Sequence, residues 1–111
     1  MMITDKETSD GLIGSELVQE DAAYEDIVVQ FIEGLSGRLA TMEDALREAD
    51  FETLRAAAHQ LKGSGGGYGY PILTKFAAEL ETLARAQALQ QCVSQVDELK
   101  GLVKRIVVRA G

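Results

Sequence analysis

Apolar residues recur along this chain at helical spacing. Ile27, Val28, Phe31, Ile32, Leu35, Leu39, Met42 and Leu46 follow a 3.6-residue period. That spacing predicts one long helix over 22–48, which Gly34 and Gly37 weaken without ending. Asp50 reads as the N-cap of a second helix over 51–68, with Phe51, Leu54, Ala58 and Leu61 on its apolar side. Gly69 suits the left-handed residue just past that helix, and Pro71 suits the first turn of the next. This third helix, over 71–86, is expected to bury Ile72, Phe76, Leu80 and Leu83. Val93, Val96, Leu99, Val103 and Ile106 predict a last helix over 88–109. Ser15 is placed to cap a short helix at 16–20. Residues 1–13 are polar and weakly patterned, so they are expected to form a flexible acidic arm ahead of a domain over 14–111.

Four amphipathic helices with short turns between them make antiparallel neighbours. The expected fold is therefore all-α: an up-down-up-down four-helix bundle with a short extra N-terminal helix. A length of 111 residues fits one domain. The single proline and the Ala, Leu, Glu and Arg content favour helix over sheet.

Charge narrows the partners. The net charge is -7, and it is concentrated early. Asp5, Glu7, Asp10, Glu16, Glu20, Asp21, Glu25 and Asp26 face only Lys6, while acids and bases cancel from residue 27 onward. A nucleic-acid partner is not expected, because it needs a basic face. Lys100, Lys104, Arg105 and Arg109 read as cations at the C-terminus of the last helix, where the dipole favours them. No apolar stretch approaches the roughly 18 residues of a membrane span, and the start lacks the pattern of a signal peptide. One cysteine, Cys92, and one histidine do not supply a zinc site. No metal and no cofactor is expected, and the setting is expected to be cytoplasmic.

That histidine carries the candidate chemistry. His59 lies about 140° around the helix from Leu54, on the solvent side. Its helical neighbours are Arg55, Lys62, Gly63 and Gly66. Gly63, Gly65, Gly66 and Gly67 would together cost roughly 3–4 kcal/mol if all are helical. Gly65 falls on the buried stripe, where it would allow close packing. The others would either mark an early helix end or keep the surface beside the imidazole open.

The segment His59-Gln60-Leu61-Lys62-Gly63-Ser64, with Gly69 ten residues after the histidine, resembles the signature of histidine-containing phosphotransfer (HPt) domains. The lead-in Leu54-Arg55-Ala56-Ala57, the continuation Tyr68-Gly69-Tyr70-Pro71-Ile72-Leu73, and Leu80-Glu81 are similar to the phosphotransfer domain of chemotaxis kinases. The departure is at Gly65, Gly66 and Gly67, where many members carry alanines and an asparagine.

The resemblance implies a phosphocarrier without an ATP site. It would take a phosphoryl group onto His59 from a receiver-domain aspartate or a sensor kinase, and pass it to a response-regulator receiver. Mg²⁺ is expected only on that receiver. Imidazole, with an ordinary pKa of about 6.5, is a nucleophile from which a phosphoryl group leaves again easily. Lys62 is placed to offset the added charge. Gly63, Gly66 and Gly67 would leave room for the partner. In several family members an acid or amide 22 residues past the histidine bonds the ring, and that position here is Glu81. Glu81 would accept from Nδ1–H and leave Nε2 free, or it would be a solvated glutamate paired with Arg85. Arg55 would contact a partner or only solubilise its helix. A monomer is expected. The alternatives are a helical interaction module without chemistry and a dimeric kinase phosphoacceptor domain, the latter lacking its usual dimerisation hairpin.

Overall fold

The computed structural model describes residues 11–110. Residues 1–10, most of the expected N-terminal arm, lie outside the described residues. Within them the chain is helical: α1 (Glu16–Glu20), a 3₁₀ turn (Ala22–Tyr24), α2 (Glu25–Glu33), α3 (Leu35–Arg47), α4 (Phe51–Gly67), α5 (Pro71–Arg85) and α6 (Leu89–Val103). Packing of α3 on α4, α4 on α5, α5 on α6 and α6 back on α3 closes a ring of four helices. Their inward stripes meet in one core that includes Leu35, Met42, Leu54, Leu61, Leu73, Leu80, Val96 and Leu99. Such burial is the main favourable term in folding.

The long helix expected over 22–48 is not continuous. A 3₁₀ turn precedes it, and Gly34 separates α2 from α3. The Gly34 N–H is shared between the carbonyls of Gln30, at 3.2 Å, and Phe31, at 3.1 Å. Glycine backbone yields easily at such a point. The inward face of α2 is Val28 and Phe31, which leaves Ile27 exposed rather than buried.

The last helix is also shorter than expected. It ends at Val103, and residues 105–108 run beside the segment after Gly11. Ile13 donates to the Arg105 carbonyl at 2.8 Å, and Val107 donates to the Ile13 carbonyl at 2.9 Å. Ile106, Val107 and Val108 are β-branched, and such residues suit extended pairing better than helix. Ile106 is buried through this bridge, whereas Val93 is exposed. Of the four late cations only Lys100 stands in the last helical turn, where it pairs with Glu43 at 2.7 Å. Arg105 instead donates to the Gly11 carbonyl at 2.6 Å, and Arg109 to Glu25 at 3.3 Å.

The turn between α4 and α5 is anchored from outside. Gly69 has φ +95°, and a Cβ there would lie 2.7 Å from the Glu16 nitrogen, so both conformation and space require glycine. Ser15 caps α1 by accepting from Val18 at 3.2 Å, and donates to the Tyr68 carbonyl at 2.6 Å. Tyr68 and Tyr70 stack on Phe31 with centroids 4.6 and 6.0 Å away. The fully buried Tyr70 donates its hydroxyl to the Val107 carbonyl at 2.8 Å.

Candidate functional site

Asp50 starts α4 by accepting from the Thr53 nitrogen at 3.1 Å and the Thr53 hydroxyl at 2.6 Å. Leu54, Ala58, Leu61 and Gly65 are the buried stripe of that helix. Their spacing turns His59 outward, and its side chain is 61% exposed. The helix persists through Gly67, so the glycine run is helical and not loop.

Two explanations divide those glycines. A Cβ on Gly65 would lie 2.8 Å from the Leu73 Cβ and 3.1 Å from the Thr74 nitrogen. One on Gly66 would lie 3.1 Å from the Thr74 hydroxyl. Thr74 accepts there from the Gly66 nitrogen at 2.8 Å and donates to the Lys62 carbonyl at 2.7 Å. Close approach of α5 therefore accounts for Gly65 and Gly66. At Gly63 and Gly67 a Cβ would meet nothing within 4 Å; Gly63, one turn after His59, leaves open surface on the histidine face.

Glu81 is supplied by α5, within a run of buried positions that includes Ala77, Leu80 and Ala84. Its side chain is only 4% exposed, so it is not the solvated flank residue that the apolar pattern of its helix allows. Its carboxylate gathers three basic side chains. Oε2 lies 3.1 Å from His59 Nδ1 and accepts from Arg85 Nη2, also at 3.1 Å. Oε1 accepts from Lys62 Nζ at 2.7 Å. The ring contact and the Arg85 pairing thus occur together. Hydrogen bonding from Lys62, supported by His59 and Arg85, holds the Glu81 carboxyl below its usual 4.5 although burial opposes this. An ionised Oε2 aimed at Nδ1 favours the ring tautomer that carries its proton there and leaves Nε2 unprotonated.

Arg55, one turn before His59, is engaged by its own helix through Glu52 at 2.6 Å. Its side chain is partly covered, and the Glu52 carboxylate first, with Glu81 adding, raises its already high pKa further. Cys92 is buried in α6. No helix among the described residues is long and apolar enough to cross a membrane.

The histidine and lysine were readable from their spacing on α4. Thr74 carried no signal in the sequence. Arg85 was visible only as a residue one turn beyond Glu81. A helical array with an exposed imidazole tied to a buried carboxylate defines a class of single-histidine helical domains. The Hpt domain family model matches residues 26–108, more than half of the chain, and the protein belongs to that family. Hpt domains are phosphocarriers in the histidine phosphotransfer of two-component phosphorelays, where they interact with response regulators and kinases. No curated protein and no solved structure matches the chain.

Proposed function

We propose that this protein carries a phosphoryl group on Nε2 of His59, taken from a receiver-domain aspartate or a sensor kinase and passed to a response-regulator receiver. The observation that supports this most is the exposed imidazole whose Nδ1 lies 3.1 Å from the buried Glu81 carboxylate. A docking module without chemistry has no use for that contact.

In the transfer, the Nε2 lone pair attacks phosphorus of the aspartyl phosphate. The N–P bond forms as the bond from phosphorus to the aspartyl oxygen breaks, and the carboxylate leaves with that electron pair. The proton stays on Nδ1. The ring therefore becomes positive as the bond forms, and Glu81 Oε2 stabilises that charge. Lys62, on the same helix face, offsets the charge of the phosphoryl oxygens. Mg²⁺ belongs to the receiver in this scheme. The open surface at Gly63 and Gly67 is the path by which the receiver reaches the ring, with Gly66 at its margin and Arg55 at its other end.

The scaffold for this chemistry is an up-down-up-down bundle with α1 as an N-terminal addition, acting as a cytoplasmic monomer. The three-residue segments 48–50, 68–70 and 86–88 between successive helices support the topology. The test is incubation with a receiver domain charged by acetyl phosphate. Wild type takes up acid-labile phosphate and His59→Gln takes up none; equal labelling of the two refutes the assignment.

A further inference from the structure

Glu81 is a single buried carboxylate with basic partners divided between its two oxygens. Lys62 alone holds Oε1, while His59 and Arg85 share Oε2. The two cations differ in mobility and in where they are rooted. Lys62 stands on α4, three residues from His59, on a flexible four-carbon stem. Arg85 stands on α5, four residues from Glu81, so it pairs within its own helix and its side chain is 63% exposed.

If His59 is the carrier, as proposed above, phosphorylation adds roughly two negative charges at the far side of the ring. Lys62 is then drawn from Oε1 toward the phosphoryl oxygens. A buried carboxylate that loses its cation is strongly disfavoured, and one free to rotate would lose Nδ1. From this division we infer that Arg85 is a positioning residue: it keeps the Glu81 carboxylate aimed at Nδ1 of His59 while Lys62 attends to the phosphoryl group. The planar guanidinium suits this task, because its fork can hold one carboxylate oxygen and reach for the other. Arg85 is thus what lets Lys62 leave. The low pKa of Glu81, to which Lys62 contributes most and Arg85 adds, agrees with two cations sharing that duty.

The test follows phosphoryl transfer from an acetyl-phosphate-charged receiver domain, with kcat and KM for the receiver read separately. Arg85→Gln is expected to lower kcat on the order of tenfold, short of the roughly 10²-fold that a 1 Å misplacement can cost. KM stays unchanged, and Arg85→Lys recovers only part of the rate, because an ammonium keeps the charge but lacks the fork. In a Glu81→Gln background, adding Arg85→Gln changes nothing further, because the residue acts through that carboxylate. A raised KM with kcat intact would instead make Arg85 a partner contact. An equal loss with or without the Glu81 carboxylate, or no loss at all, also overturns the inference. Uptake of phosphate by His59→Gln defeats the carrier reading itself; an inert His59→Gln with any of these contrary Arg85 results defeats only the Arg85 assignment.

Discussion

Alanine substitutions through the glycine run of α4 separate packing from access. Each helix-interior glycine forgoes about 0.8–1 kcal/mol relative to alanine. At Gly63 a new Cβ meets nothing within 4 Å, so Gly63→Ala should recover about that much. For a domain of this size the gain is a rise in Tm of about 4–8 °C per kcal/mol. Gly67→Ala, at the last helical position, should recover a fraction of it. Gly65→Ala has the same helical gain, but its methyl would stand 2.8 Å from the Leu73 Cβ and 3.1 Å from the Thr74 nitrogen. Leu73 is fully buried, and the Thr74 nitrogen is backbone, so neither yields without moving α5. Overpacking of this kind costs about 1–3 kcal/mol, which exceeds the propensity gain over most of that range. The expected net effect is destabilisation of up to about 2 kcal/mol. Gly66→Ala should fall between the two, because the Thr74 hydroxyl it meets is fixed by two hydrogen bonds. Urea and thermal unfolding of the four variants, with m-values compared, measure the series. Phosphoryl transfer then orders it differently. Gly63→Ala should be stable yet slow, since its methyl sits on the histidine face. Equal stabilities for Gly65→Ala and Gly63→Ala would refute the packing account. A fast, stable Gly63→Ala would remove that glycine from the partner's path.

Two further perturbations probe other parts. Lys62→Ala should slow phosphoryl transfer by about 10²-fold, the lower end of the scale for losing one donor to developing charge; circular dichroism should stay unchanged, because Arg85 still pairs with Glu81. Unchanged transfer kinetics would remove Lys62 from the site. Burial pushes the Tyr70 hydroxyl up to about 12 from its usual 10, so the folded state holds it neutral where the unfolded chain has begun to ionise it. The stability this adds is complete below pH 10 and is lost as pH rises toward 12. Alkaline titration of tyrosinate absorbance should show one late-ionising tyrosine coincident with unfolding, absent in Tyr70→Phe; a Tyr70 that titrates near 10 in the folded protein contradicts its burial.

How much of this was legible in the sequence depends on whether the cause is local. The direction of His59 follows from Leu54, Ala58 and Leu61 alone, because a 3.6-residue stripe fixes the opposite face. The cap at Asp50, the left-handed Gly69 and the start at Pro71 are equally local. The break at Gly34 was not legible, since a helical period runs unchanged across it and Phe31 and Leu35, on either side, are both buried. The end of α6 at Val103 was hidden for a different reason. Residues 106–108 have helical spacing with Val103, but the partner that pulls them into extended pairing is Ile13, distant in sequence. The burial of Glu81 belongs to the same class: nothing on α5 foretells a buried carboxylate until α4 is laid against it.

That last point links the costly glycines to the chemistry more tightly than access alone. Thr74 bonds to both the Gly66 nitrogen and the Lys62 carbonyl, so it pins α5 against α4 at one height. Moving seven residues back along α4 from Gly66 reaches His59; moving seven forward along α5 from Thr74 reaches Glu81. Seven residues is about two helical turns, so in this antiparallel pair the two side chains return to the same relative height and the same shared face. Vertical register is thus fixed at the glycine end. The lateral gap is fixed there too, because only a residue without Cβ lets Leu73 and Thr74 come as close as they do to Gly65. With a wider gap, a carboxylate on α5 could not lie 3.1 Å from Nδ1 while still bonding Lys62 on the same helix as the ring. The stability given up at Gly65 and Gly66 is therefore the condition for the His59–Glu81 distance, and the openness at Gly63 and Gly67 is a separate provision on the outer face of the same helix.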